Sequence, residues 1–437
     1  MRKILLVITT IFVICHMQPI VSEAGAEEGK VFTLQDCISI ALRQSPLIRS
    51  SEFDIKVSEE SLNISKGALL PRLDLNGSFM KENQPFPYIP AQSMTIPAKF
   101  SDEIYSWGLY FRLPVYEGGR LLKQIDISKI EEEIQSARLR LTIEDVIVNV
   151  TNTFNKLLQL KELQKATEIS VDALEHQRKN TELSEKAGRA AHVELLRTEV
   201  QLASEKQNLI RVEESIIRTK AALAFFMGIT QDQLAEVIGT LKTDEKIPSA
   251  GVDELLKARP DIVAASKKVE QSRFRVDAAY GKRYPSVALA GNYGNRAGSG
   301  FHQREEVWEA GAVASVNLFD GGIISSEIRR EKALLNKSEE ELRLLQLKAR
   351  FEVDNALSLL KEAVQRLQVA EKAVEQSEES FRIEELKYKS GAGTVTDALL
   401  SQSSMSLAQA NNYQAMYDYN AAIVEFKKAT GTIEVSK

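Results

Sequence analysis

Two hydrophobic periods alternate along this chain. Over roughly 120–187 and 323–389 the apolar residues step in threes and fours. Ile127, Ile130, Ile134, Ala137 and Leu141 do so in the first stretch; Leu342, Leu345 and Ala349, then Ala356, Leu359 and Ala363, do so in the second. That spacing predicts long helices packed as coiled coils rather than a compact globule. At 1.5 Å per residue each stretch would reach roughly 100 Å, so it must span a distance. A further helix follows each one, ending near 227 and 429. In the first of these, Leu196, Val200, Ala203, Ile217, Ala221 and Ala224 share one frame, interrupted by Gln207 and Glu214. Shorter helical segments, 33–69 and 251–283, come before.

Between the helices the period drops to two. Leu73, Leu75, Gly77 and Phe79 alternate with Asp74, Asn76 and Ser78. Trp107, Leu109, Phe111, Leu113 and Val115 alternate with Gly108, Tyr110, Arg112 and Pro114. Val287, Leu289 and Tyr293 oppose Ala288, Ala290 and Asn292, and Trp308, Ala312, Val316 and Leu318 oppose Gly311, Ser315 and Asn317. About ten residues of such alternation suit a transmembrane barrel strand, although a soluble hairpin with one buried face uses the same pattern. Trp107, Tyr110, Tyr293 and Trp308 lie near the loop ends, where a membrane girdle is expected. Asn83 to Tyr105, with Pro85, Pro87, Pro90 and Pro97, reads as a long irregular loop.

The order helix, two strands, long helix, helix occurs twice. Pro46 and Pro71 are matched by Pro260 and Pro285 at an offset of 214. Val115-Tyr116-Glu117-Gly118-Gly119 is matched by Leu318-Phe319-Asp320-Gly321-Gly322, Gly188 by Gly391, and Glu194 by Asp397, at an offset of 203. The first copy therefore carries 11 extra residues between Gly77 and Gly118. We divide the chain into a leader (1–26), a first repeat (27–230), a linker (231–250), a second repeat (251–431) and a tail (432–437).

Arg2 and Lys3 precede an apolar run, Ile4 to Ile14, with Ala24-Gly25-Ala26 beyond it, the pattern of a cleaved secretory signal. Eleven residues are too few for a membrane anchor, and Cys15 lacks the small residue expected before a lipidated cysteine. Cleavage would leave one cysteine, Cys37, and no internal disulfide, so packing or assembly must hold an exported chain together. The net charge of −5 is spread without a basic block, which excludes nucleic acid as an expected partner. His176, His192 and His302 accompany no catalytic or phosphate-cradling motif, so neither an enzyme nor a cofactor is expected. His192 is a conceivable metal ligand across a symmetry axis, or simply solvated.

Four strands cannot close a barrel in lipid, where open edges are not tolerated, so the strands require assembly if they enter a membrane. Both copies resemble the outer membrane efflux protein repeat of TolC-like channels. The resemblance rests on Leu34 through Leu42, Gln44-Ser45-Pro46, Arg259-Pro260-Asp261-Ile262, Ala278-Ala279, Tyr284-Pro285, both Gly-Gly turns, and Tyr388, Gly391, Thr394, Asp397 and Leu399. It implies a mainly helical homotrimer with a twelve-helix α-barrel in the periplasm and a twelve-stranded β-barrel in the outer membrane. Such a duct would work with a periplasmic adaptor and an inner-membrane transporter, in efflux or type I secretion. Gly188, Arg189, Gly391, Ala392 and Gly393 would form the adaptor-docking tip, unless the glycines are only helix caps. Asp397, with Glu194, would line a constricting, cation-favouring aperture, unless both are ordinary helix-start charges. Arg189 and Ala392 replace bulky apolar family residues, Leu400 replaces an acid, and Gly393 stands where TolC has a latching arginine. A periplasmic coiled-coil adaptor or scaffold outside the membrane is the alternative.

Overall fold

The computed structural model describes residues 31–91, 93, 95–234, 236–241, 256–302 and 304–433. The expected leader, half of the linker and the last four residues of the tail lie outside these. The chain begins with a short strand β1 (Val31–Phe32) and helices α1 (Leu34–Gln44) and α2 (Pro46–Gly67). A hairpin of β2 (Arg72–Ile89) and β3 (Lys99–Glu117) follows, then α3 (Arg120–Lys186) and α4 (His192–Met227). After β4 (Glu236–Val237), the order repeats as α5 (Pro260–Gly281), β5 (Ser286–Ala297), β6 (Glu305–Ser315), α6 (Ile323–Lys389) and α7 (Val395–Thr430).

The long helices α3 and α6 each run for 67 residues and start from matched Gly-Gly turns. Gly118, Gly119, Gly321 and Gly322 all have positive φ, a conformation open to glycine without a Cβ penalty. All four long helices end alike. In each, the amide of the residue after a left-handed glycine reaches back to a carbonyl five residues earlier: Arg189 to Ser184, Ile229 to Ala224, Ala392 to Lys387 and Thr432 to Lys427. This is the Schellman motif, and the left-handed residue it needs is Gly188, Gly228, Gly391 or Gly431.

The expected helix over 33–69 is two helices. Ser45 sits at φ −59°, ψ 121°, because the residue before a proline is pushed out of the helical region, and Pro46 then opens α2. α1 starts on a capping box between Thr33 and Asp36.

α3 is the spine, touching α1, α2, α4, α5 and α7. Its middle is the most buried part: Val146, Val150, Phe154 and Leu157 pack with Cys37, Ala41, Leu223, Met227 and Val237. In the second half, Val353, Ala356, Leu360, Ala363 and Leu367 of α6 face Ala415, Tyr419, Ile423 and Phe426 of α7. The 3-4 stepping is as expected, but two frames shift. On α6, Leu360 is buried and Leu359 exposed. On α4 the buried residues are Leu195, Thr198, Leu202, Glu205, Val212, Ile216, Leu223, Ala224 and Met227; of the expected frame only Ala224 is among them, whereas Leu196, Val200 and Ile217, with Ile210, are exposed. α4 carries two apolar stripes, and only one meets its own chain.

The four long strands form one antiparallel sheet in the order β2-β3-β5-β6, open at both edges. Most of the expected loop from Asn83 to Tyr105 is strand. Its prolines lie on the edge strand β2 and beyond it, and the register shifts between Lys81 and Phe86 and between Pro87 and Ile89. Edges and bulges are where a strand tolerates a residue with no amide hydrogen. Among the described residues, no helix is long and apolar enough to cross a membrane.

Candidate functional site: a two-faced sheet and a double helical tip

Register fixes which side chains share a face of the sheet, because partners across a ladder point the same way. Leu73, Leu75, Phe79, Tyr105, Leu109 and Phe111 fall on one face with Leu289, Tyr293, Trp308 and Ala312. Asp74, Asn76, Ser78, Ser106, Arg112, Asn292, Arg296 and Glu309 fall on the other. One face therefore suits hydrocarbon and the other water. β5 and β6 have 12 and 11 residues, enough to cross a bilayer at a tilt of about 45°.

Of the expected girdle residues, Trp107, Tyr293 and Trp308 lie on the apolar face, with Tyr293 directly opposite Trp308. Tyr110 does not. It pairs with Asp74 and Asn292 on the polar face, since it is one residue out of phase with Trp107 and Leu109. The apolar face adds a cluster with no strong sequence signal: Tyr105 stacks on Phe301 at 4.2 Å, and Phe79 lies 4.7 Å from Tyr105. Phe79 belongs to the alternation legible in the sequence, whereas Tyr105 ends the proline-rich stretch expected to be a loop, which hid it.

At the far end, the two helical turns meet. Val171, Leu174, Leu202, Val395 and Leu399 form a small core beneath them, and Arg197 donates to Thr396 across the gap at 2.6 Å. Gly188, Arg189, Gly391 and Ala392 are exposed at the turns. Gly393 has a separate reason to be glycine: a Cβ there would sit 2.9 Å from that of Lys387, whose carbonyl accepts the Gly393 amide. A long side chain at this position would force the turn apart.

The matched acids behave differently. Thr394 caps α7: its hydroxyl accepts from the Asp397 amide at 3.2 Å and donates to the Asp397 carboxylate at 2.7 Å. Thr394-x-x-Asp397 is a capping-box pattern legible in the sequence. Glu194 has no such partner, because Ala191 stands at the start of α4 and offers no capping side chain. Nearby, His192 Nδ1 lies 2.7 Å from Glu185 Oε1 across the first turn. The Lys186 ammonium, hydrogen-bonded to Glu182 at 2.7 Å, holds that carboxyl below its usual range. The tip is polar, charged and exposed.

A sheet with one lipid-compatible face, continued by paired helices far too long for a globule, defines a segment of a membrane-crossing duct. The family model described as "Outer membrane efflux protein" matches residues 37–229 and 251–432. The chain belongs to the outer membrane efflux protein family, a family of channels rather than enzymes. It resides in the outer membrane, with a long helical part in the periplasm. It is 25% identical over 409 residues to the pyoverdine export outer membrane protein OpmQ of Pseudomonas aeruginosa, covering 91% of this chain and 85% of that one. Its fold matches that of the outer membrane protein VceC from Vibrio cholerae, with a TM-score of 0.78 and 20% identity over 91% of this chain and 96% of the other. It also matches the Campylobacter jejuni CmeC outer membrane channel, with a TM-score of 0.80 and 18% identity over 92% and 87%.

Proposed function

We propose that three copies close into one duct, the passive exit of an export assembly that an inner-membrane transporter powers and a periplasmic adaptor bridges. The open, two-faced sheet carries this proposal. Two unpaired strand edges cannot persist in lipid, so β6 of one copy must pair with β2 of the next. Eight strands from a dimer would leave an interior mostly filled by side chains, whereas twelve leave room for a channel. The helical wall has the same logic. Its outlying helices α2, α4 and α6 expose apolar residues, among them Phe53, Val57 and Ile64, then Val200 and Ile210, then Leu344, Leu347 and Phe351. The two edges differ in sequence, so the contact is head-to-tail and closes a ring.

In this duct the double tip, with Gly188, Arg189, Gly391, Ala392 and Gly393, is the adaptor's landing site. Three copies of Asp397 and Glu194 give the inner aperture six carboxylates. Trp107, Tyr293 and Trp308 anchor the barrel at the lipid interface. The export named for the Pseudomonas relative makes a small molecule the first cargo to test.

The test is fractionation followed by crosslinking. The chain is expected in the outer membrane as a heat-resistant trimer. Arg189→Cys and Ala392→Cys should crosslink to a periplasmic partner, with little background because Cys37 is buried. A soluble periplasmic monomer would overturn the proposal in favour of a scaffold outside the membrane.

A further inference from the structure

The two hairpins of the sheet treat their outer ends in opposite ways. In the second copy, the loop after β5 folds onto the apolar face, where Phe301 covers Tyr105. In the first copy, the longer hairpin folds onto the polar face. Four residues of β2, Glu82 to Pro85, bulge opposite Asp102 alone, and the ladder resumes at Phe86 with Ser101. A bulge of this kind bends a strand sharply. Beyond the bend, Tyr88 and Ile89 are buried against Ile104 and Val307. Ile104 and Val307 share the polar face with Ser106, Gly294 and Arg296.

Several polar contacts hold the bent segment down. Lys99 pairs with Glu305. Arg296 donates to the Tyr88 carbonyl at 3.4 Å. The Ser101 hydroxyl accepts from the Ser299 amide at 3.0 Å. The Ser299 hydroxyl makes two further hydrogen bonds, with the Ser101 hydroxyl and the Asp102 carboxylate, each at 3.1 Å. The first repeat thus spends its 11 extra residues on a piece of sheet doubled back over the water-facing side.

We propose that this segment, Phe86–Ile89 with Lys99–Asp102, is a pore-facing flap that sets the size limit at the outer mouth of the duct, with Lys99–Glu305 as its latch. The proposal rests on the duct reading above, because only in a closed barrel does the polar face line a channel. Three flaps, one per copy, then project over the same opening. The flap's apolar underside keeps it seated. The latch is a half-exposed ion pair, which water and salt weaken easily, so the flap can lift for cargo without unfolding the barrel.

The test uses the full chain in intact cells. Gly311 lies on the polar face below the flap, with nothing within 4 Å of an added Cβ, so Gly311→Cys reports access to the channel. His302→Cys, in the outer loop of the second hairpin, reports exposure at the cell surface. Both are labelled from outside with maleimides of increasing size. His302→Cys should react quickly with all of them, and Gly311→Cys slowly and only with small ones. Lys99→Glu should speed labelling at Gly311→Cys by up to about fivefold, the shift in open population expected on losing one such ion pair. It should leave His302→Cys unchanged, and the swap Lys99→Glu with Glu305→Lys should restore slow labelling. Lys99→Gln serves if the charge reversal blocks assembly.

Equal rates at the two cysteines in the parent chain, or rates indifferent to the latch, overturn the flap. Labelling of both cysteines only after lysis overturns the duct itself.

Discussion

Gly118 and Gly321 hold matched places with nearly the same φ, 64° and 67°, but different surroundings. A Cβ on Gly118 would lie 2.1 Å from the Gly281 carbonyl oxygen, whereas one on Gly321 meets nothing within 4 Å. Gly321→Ala should therefore cost only backbone strain, about 1–2 kcal/mol. Gly118→Ala should cost at least about 2 kcal/mol more, because the start of α3 must move off α5. Thermal melting of the two purified variants measures the difference. Asp397 invites a similar comparison. Thr394→Ala removes the α7 cap but not the charge, at about 1 kcal/mol, while Asp397→Asn removes the charge. If Asp397 shapes the aperture, Asp397→Asn alone should reduce cation selectivity in single-channel recordings; equal effects of the two would make it only a cap. Burial raises the Cys37 thiol to about 12 from an ordinary 9.0. The proton is thus held more tightly in the folded chain. Its contribution to stability is complete below pH 9 and lost as pH rises toward 12. Cys37 should therefore resist maleimide at neutral pH until the chain unfolds. Residue roles were the least legible level of the sequence. Tyr110 and Trp107 look alike in a list of aromatics, and only strand phase separates them.

At the level of elements, the ends of the long helices could be read from glycines because a left-handed turn leaves a strong compositional mark. The coiled-coil frame of α4 could not. A helix with two apolar stripes one residue apart presents two valid 3-4 series, and nothing in spacing says which one its own chain buries. The series containing Leu196, Val200 and Ile217 is real but unpartnered in the single chain. Val200→Glu should accordingly abolish trimers on native gels while leaving the helical circular dichroism of the chain nearly unchanged. Leu202→Ala, in the buried series, should destabilise the chain itself by about 2–5 kcal/mol. The first hairpin is obscured in the sequence for a different reason. Prolines and charges broke the alternation, although an edge strand with bulges accommodates them.

At the scale of the whole molecule, the defining feature is incompleteness: two bare sheet edges and an apolar stripe on each flank of the wall. Such a chain has no finished state by itself, so its apparent stability should rise with its own concentration. The consequence reaches back to biogenesis. Between export and assembly, each newly made chain carries adhesive β edges through a crowded compartment, the situation in which aggregation competes best with folding. Escort by chaperones and prompt delivery to an insertion machinery are thus requirements written into the strand order β2-β3-β5-β6. Supply of neighbours, rather than the intrinsic folding speed of one copy, should limit how fast working channels accumulate.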